Sequence, residues 1–496
     1  MIRQLIQHIL LGGFLLTGLS CSGKVVRKQA RLPNVIYIMA DDLGYGSLGS
    51  YGQKLIRTPY LDQMAKEGIR FTKFYAGSTV CAPSRSTLLT GLSTAQSVVR
   101  GNQEYGGFRD EEERGQFPLP PGTETVARFL KQYDYTTGLI GKWGLGGPQT
   151  TGIPNLHGFD FFYGFLDQKQ AHNFYPSHFW RNQTWEATKN GYFSPHQKLQ
   201  GDPADPAAYA LFKGMDYATD MFGAEALRFI EAHQEQPFFL YLPYTAPHLA
   251  LQAPDEAIAE YEGIFEEIPY IGDKGYLPHP KPKAAYAAMI TRMDQQIGKM
   301  LQLLKKLDLD QNTLVIFTSD NGASFKMGGF DPDFFEANGP LRGYKQDLLE
   351  GGIRVPFIAR WPGVIAPNTT SDHVAANWDV FATVAELIQK PLRNVQEGVS
   401  FLPLLTGIGI QQTHEWLYWE FPEVKNGIQA VRWGKWKGIR TGWMKNPDAP
   451  IALYNLDTDL AELHDVAAQH PDVVAFLKTL LAKRKTAALS NWNPSY

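Results

Sequence analysis

The sequence predicts an α/β fold: a large mixed, mostly parallel sheet sandwiched by helices, with a smaller α+β C-terminal domain. Three observations predict it. Short apolar runs alternate with helical patterns through most of the chain, most of those runs end in polar clusters, and after about residue 410 the texture shifts to short aromatic strands.

The strands come first. Runs 35–39 (VIYIM), 137–140 (TGLI), 238–242 (FFLYL), 314–317 (LVIF) and 355–358 (VPFI) have the length and composition of strands buried on both faces. Between them, Thr58-Pro59 opens a helix that stops at Gly68, with proline at its first position. A longer helix follows Ala284 through Met289, Met293, Ile297, Met300, Leu301 and Leu304 at helical spacing, and its methionines read as core. Region 168–206 is rich in aromatics, asparagine and proline without a period, and reads as an ordered loop excursion that shapes a pocket. Further on, 416–419 and 431–437 read as short strands and 471–485 as a closing helix. The resulting organisation is a signal peptide over 1–20, a tether over 21–32, a catalytic α/β domain over 33–405 and a C-terminal domain over 406–496.

Composition narrows the function. The 496 residues carry a net charge of −3, with 44% hydrophobic residues and only 2 cysteines. Near-neutral charge gives no footprint for nucleic acid and no bulk attraction to an anionic membrane, so an anionic ligand must be met locally. Two cysteines exclude a disulfide framework and a cysteine-rich zinc scaffold. The first, Cys21, follows Arg3 and an apolar run too short to span a bilayer. This segment resembles a bacterial lipoprotein signal, in which the cysteine after the cut carries the lipid, although Gly18 stands where an aliphatic residue is usual. The alternative is a plain secretory signal with an incidental cysteine. Either implies export, to the periplasm or to an anchored position on the outer membrane.

The polar clusters carry the chemistry. Asp41-Asp42 follows the first strand and Asp320-Asn321 follows the fourth, and ligands in open α/β sheets bind beyond such strand ends. Three carboxylates and an amide form a hard-cation set, Ca²⁺ before Mg²⁺, without the imidazole or thiolate of a zinc site. Either cluster alone is ordinary turn chemistry. The third cluster, 78–91, contains Cys81 just ahead of a helix capped by Ser84 or its neighbours, with Arg85 in the first turn. A cysteine there is either a low-pKa nucleophile or a small buried residue.

The run Cys81-Ala82-Pro83-Ser84-Arg85 resembles the signature of type I sulfatases, arylsulfatase-like members of the alkaline phosphatase superfamily. Asp41-Asp42, Gly138-Leu139-Ile140-Gly141-Lys142-Trp143, Thr245-Ala246-Pro247-His248, Asp320-Asn321-Gly322 and Leu341-Arg342-Gly343-Tyr344-Lys345 extend the resemblance, as does Glu350-Gly351-Gly352-Ile353-Arg354-Val355-Pro356. It covers nearly all of the mature chain. It implies sulfate ester hydrolysis with Cys81 oxidised to 3-oxoalanine (formylglycine) by a formylglycine-generating maturation enzyme. One hydroxyl of the aldehyde hydrate attacks sulfur and expels the alcohol; the other then loses its proton as sulfate departs. By the same resemblance Asp41, Asp42, Asp320 and Asn321 hold Ca²⁺, and Arg85 and Lys142 stabilise the hydrate and the sulfate. Lys345 meets a sulfate oxygen and, with His248, helps protonate the leaving alcohol.

One departure stands out. Many members continue the lysine signature as Lys-Trp-His, and that histidine helps discharge the sulfated intermediate, whereas here the third residue is Gly144. The loop 168–178 is the expected substitute, with His172 the first candidate, Gln168 as a sulfate contact, and His178 as a further substrate-binding residue. His172 serves equally well as a sugar contact or packing group. Two other readings remain: a phosphodiester or phosphonate hydrolase of the same superfamily, and an inactive lipoprotein that binds sulfated glycans. The expected partner is a sulfated saccharide, with galactose or N-acetylgalactosamine sulfate favoured and Trp180 and Trp185 available to stack on sugar faces. Nucleic acid is not expected, and the membrane enters only through a lipid on Cys21.

Overall fold

In the computed structural model, which describes residues 31–392 and 396–484, the apolar runs form the middle of a ten-stranded sheet. The signal peptide expected over 1–20, Cys21 and most of the tether lie outside the described residues. Five strands run parallel at the centre, in the order Thr313–Ser319, Asn34–Ala40, Phe238–Pro243, Thr136–Lys142 and Phe161–Phe165. Antiparallel strands flank them: Phe357–Arg360 beside Thr313–Ser319, and the hairpin His178–Arg181/Thr184–Ala187 beside Phe161–Phe165. The sheet is therefore mixed and largely parallel, as expected.

Both faces are covered. Ile36, Ile38 and Ala40 point to one side, into a core with Met289, Met293 and Met300 of the helix Pro282–Lys306 and with Phe222 and Phe229 of the helix Ala218–Ala232. Val35, Tyr37 and Met39 point to the other, against Leu88 and Leu89 of the helix Cys81–Thr90 and Val380, Phe381 and Val384 of the helix Asp379–Leu387. Burial on both sides is why these strands lack polar alternation. The helix at Thr58 spans Pro59–Lys66, with proline in its first turn.

Three expectations change. Val355 and Pro356 precede their strand, which begins at Phe357, because proline has no N–H for the ladder. The run 431–437 is two strands, Ile428–Trp433 and Trp436–Thr441, reversed through Gly434 at φ +55°. Within 168–206, the hairpin His178–Arg181/Thr184–Ala187 turns through Asn182 at φ +55° and extends the main sheet.

Near the C-terminus four antiparallel strands, Leu417–Phe421, Ile428–Trp433, Trp436–Thr441 and Ile451–Asn455, lie in that order, and Leu477 and Leu480 of the helix Pro471–Lys483 pack on them. A buried charge cluster joins this sheet to the short helix Glu350–Ile353. Lys437 Nζ lies 2.9 Å from Glu350 Oε1 and 3.0 Å from Glu462 Oε1, and all three side chains are fully buried. Arg354 Nη1 sits 3.1 Å from Glu350 Oε2, which also accepts from Tyr75 Oη at 2.8 Å. No helix among the described residues is long and apolar enough to cross a membrane.

Candidate active site

Strand register assembles the site. Asn34–Ala40 pairs in parallel with Thr313–Ser319 so that Ala40 meets Ser319, and both chains leave the sheet together. Asp41-Asp42 thereby lands beside Asp320-Asn321: the Asp42 N–H donates to Asp320 Oδ1 at 3.1 Å, and Asn321 Nδ2 donates to Asp42 Oδ1 at 2.7 Å. Phe238–Pro243, on the other side, delivers Thr245-Ala246-Pro247-His248, with the Ala246 carbonyl accepting from Asp41 N–H at 3.1 Å. Thr136–Lys142 ends with Lys142 pointing in, its Nζ 2.6 Å from Asp41 Oδ2. These are the carboxyl ends of adjacent parallel strands, where open α/β sheets bind ligands.

Cys81 enters from the first turn of Cys81–Thr90, not ahead of it. Val80 is the N-cap, Ser84 lies inside the helix, and the Ala82 N–H is satisfied by Asn102 Oδ1 at 2.9 Å. The Cys81 side chain lies 3.3 Å (Sγ) from Asp41 Oδ1 and 3.5 Å from Lys345 Nζ. One helical turn later Arg85, fully buried, donates to Asp320 Oδ2 at 2.8 Å and to the Lys142 carbonyl at 2.6 Å. Lys345 Nζ also reaches Asp42 Oδ2 at 3.0 Å and His248 Nε2 at 3.2 Å. The structure thus gathers Cys81, Arg85, Lys142, His248, Lys345, Asp41, Asp42, Asp320 and Asn321 in one buried cluster.

The electrostatics are uneven. Burial opposes the charge on Asp41, but Lys142, His248 and Arg85 outweigh it and hold that carboxyl well below the usual range. Burial and the nearby Asp41 push Asp320 up to about 7, against the pull of Arg85. Cys81 is pushed up to about 12, by burial first and then by Asp41. The helix start does not offset that burial. Despite burial, Asp42 holds Lys345 well above its ordinary value, so it stays protonated. Burial, then Lys345, lowers His248 to about 4. Neutral His248 gives its Nδ1–H to the Leu249 carbonyl at 2.6 Å, which leaves the Nε2 lone pair for Lys345; these proton positions follow from the hydrogen-bond network.

A metal ion fits this group, in which the Cys81 thiol and the His248 imidazole stand beside two carboxylates of the expected all-oxygen set. Asp41, Asp42, Cys81 and His248 offer ligand atoms that all lie within 4.8 Å of one another. Asn321 Oδ1 is buried without a hydrogen-bond partner beside Asp42, a free amide oxygen among carboxylates that repel one another.

The loop residues separate. His172 stacks on His248 with ring centroids 4.9 Å apart, and its Nδ1 lies 3.0 Å from His196 Nε2. The Tyr276 N–H donates to His196 Nδ1 at 3.2 Å, so the proton of neutral His196 sits on Nε2 and is given to His172 Nδ1. Burial and the neighbouring His248 keep His172 neutral, well below 6.5, with its own proton on Nε2. Gln168 lies buried against Gly144. His178 does not join the cluster: its Nε2 pairs with Glu113 Oε2 at 3.1 Å and its ring stacks under Trp185 at 4.8 Å. Sequence reasoning missed Asn102, His196 and Tyr276. The positive φ of Tyr276, +62°, becomes visible only in the fold, and Ser194-Pro195-His196 sits in a stretch without a period.

The chain is similar to known proteins along most of its length. Residues 33–390 match the Sulfatase family model, and 344–487 match the model described as N-sulphoglucosamine sulphohydrolase, C-terminal. It is 31% identical to an N-acetylgalactosamine-6-O-sulfatase of Bacteroides thetaiotaomicron, over 96% of this chain and 98% of that one. Against arylsulfatase A of Homo sapiens it is 32% identical, over 94% and 90% of the two chains. Among solved structures, Ps i-CgsB in complex with k-i-k-neocarrahexaose superposes with a TM-score of 0.75 at 26% identity, covering 93% of this chain and 95% of that one.

Proposed function

The chain belongs to the sulfatase family and is a sulfuric ester hydrolase, and from that premise we propose that it removes sulfate from a sulfated saccharide, using formylglycine made from Cys81 and a Ca²⁺ ion held by Asp41, Asp42, Asp320 and Asn321. The observation that carries this reading is the setting of Cys81. As a thiol pushed up to about 12 it is a poor nucleophile, yet a carboxylate lies 3.3 Å away and an ammonium 3.5 Å away. Such surroundings suit an oxygen nucleophile in its place. When bound, the cation offsets negative charge on the sulfate and makes the attacking hydroxyl more acidic.

The chain's own groups do the rest. Asp41 Oδ1 accepts the hydrogen bond of the group at position 81 and orients it. Arg85 and Lys142 stay charged beside that group and oppose the charge that develops on sulfate oxygens. Lys345, protonated and shared between Asp42 and His248, donates towards the ester, and His248 fixes its direction. A saccharide substrate is supported by the relatives and by Trp185, 46% exposed on the hairpin His178–Arg181/Thr184–Ala187. The proposal extends to an exported lipoprotein lipidated at Cys21, with a catalytic domain over 33–405 and a C-terminal domain over 406–496.

The test is sulfate release from a panel of defined sulfated saccharides headed by N-acetylgalactosamine 6-sulfate, run beside an aryl sulfate and an aryl phosphodiester, with intact mass on the same matured protein. Release from saccharide sulfates, together with the mass change from thiol to aldehyde, is the expected result. Faster phosphodiester cleavage, or a retained thiol at Cys81 in an active protein, overturns the reading.

A further inference from the structure

Two residues past Lys142, Gly144 takes φ +77°, a left-handed backbone that favours glycine, while Trp143 between them turns into the core and gives its Nε1–H to the Gly152 carbonyl at 2.6 Å. Pairing with the neighbouring strand continues past Lys142: Trp143 N–H donates to Phe165 O at 2.9 Å and Gly144 N–H to Leu166 O at 3.1 Å. Two residues beyond Leu166 comes Gln168. A Cβ on Gly144 would lie 2.8 Å from Gln168 Cγ and 2.9 Å from both Cδ and Nε2, so the glutamine occupies the space a side chain at 144 would need.

Gln168 is held there firmly. Its N–H donates to Gln116 Oε1 at 3.0 Å, and the preceding Asp167 accepts from Gly115 N–H at 2.7 Å, Gln116 Nε2 at 2.9 Å and Lys169 N–H at 2.8 Å. Yet the side chain, 2% exposed, leaves its Nε2 buried with no hydrogen-bond partner. A buried amide donor with nothing to donate to is costly, and here it lies past the end of the strand beside the one that carries Lys142, against Gly144.

We propose that Gln168 is a substrate-binding residue whose Nε2 donates to a sulfate oxygen, filling in this chain the place that Gly144 vacates. The inference rests on the sulfatase reading and deepens it. An amide donates but does not take up a proton, so this position contributes hydrogen-bonding to the sulfate and no titrating group. His172 is engaged elsewhere, stacked on His248 and accepting from His196, with only an N–H left to offer.

The probe is inorganic sulfate, followed as an inhibitor of the matured enzyme and by calorimetry. Gln168→Leu keeps the shape and removes the donor. It should raise the inhibition constant of sulfate and the KM for the ester about tenfold, the scale of one charge-assisted hydrogen bond, without lowering the melting temperature. Gln168→Glu should weaken sulfate more than Gln168→Leu does. If Gln168→Leu fails to fold, Gln168→Met serves, because it keeps the length of the side chain, removes the donor and predicts the same rise. Sulfate binding by Gln168→Leu within twofold of the parent, or a loss that appears only as lowered stability, overturns the proposal. A parent that binds inorganic sulfate yet cleaves no sulfate ester would sink the functional reading while leaving the Gln168 comparison decisive.

Discussion

Two of the buried charge clusters, one around Lys437 and one around Cys81, each hold one acid low and push another up: Glu350 against Glu462 in the first, Asp41 against Asp320 in the second. Around Lys437, burial works against Glu350, but Lys437 and Arg354 win and hold it at about 2. Around Cys81, burial and Asp41 push Asp320 up to about 7 although Arg85 touches it. Burial raises Glu462 although Lys437 Nζ lies 3.0 Å from its Oε1, which accepts no hydrogen bond. The clusters differ in what they enclose: a lysine that ties the C-terminal strands to Glu350 in one, and in the other the Cys81 side chain, with the amide atoms Asn321 Oδ1 and, beside Gly144, Gln168 Nε2 left without partners.

The sharpest way to break this contrast is to exchange the effects. Cys81→Ala should lower kcat/KM by at least ~10⁴-fold while the melting curve stays nearly in place. Equal losses of activity and stability would remove the distinction. Lys437→Met should do the reverse: it leaves Glu350 and Glu462 buried without their shared cation, at a cost of ~3–5 kcal/mol in urea unfolding. Turnover per folded molecule should change little, and a collapse of turnover in a stably folded variant would count against a purely structural role.

Acid sharpens the comparison further. The folded Glu350 carboxyl titrates at about 2 against an ordinary value of 4.5, so on acidification the unfolded chain takes up a proton that the folded chain refuses. Its contribution is fully present above pH 4.5 and is lost as pH falls from there towards 2; Lys437→Met should flatten that limb, as urea midpoints measured across the range would reveal. The smallest expected effect is the metal's. Chelation followed by Ca²⁺ at about a hundredfold excess over its dissociation constant should return ~2.7 kcal/mol of stability. Asp42→Asn should blunt that gain and Lys437→Met should not.

These clusters were unequally legible. Asp41-Asp42 and Asp320-Asn321 could be read because each directly follows an apolar run, and a parallel register does the rest. Lys437 with Glu350 had no such cue: 87 residues separate them, and each looks like a solvated charge in its own segment. His178 misled for the same reason, since its partner Glu113 is 65 residues away. The hairpin His178–Arg181/Thr184–Ala187 escaped notice because its strands have four residues each and Phe179 and Trp180 stand side by side, so no period of two is visible. Gly144 pointed to a gap at the site, but only pairing past Lys142 identifies Gln168 as the residue beside it.

Cys81 is 1% exposed in the finished fold. Under the proposed oxidation of Cys81, a second enzyme has to reach this side chain before folding buries it. Lys345, one of the groups that close over Cys81, is 264 residues further along the chain. At roughly 5–20 residues per second of synthesis, about 13–50 seconds pass between the emergence of the two. On the proposed function, the burial of Cys81 therefore sets a deadline: oxidation happens while the chain is still unfolded, or the molecule folds around an unreacted thiol.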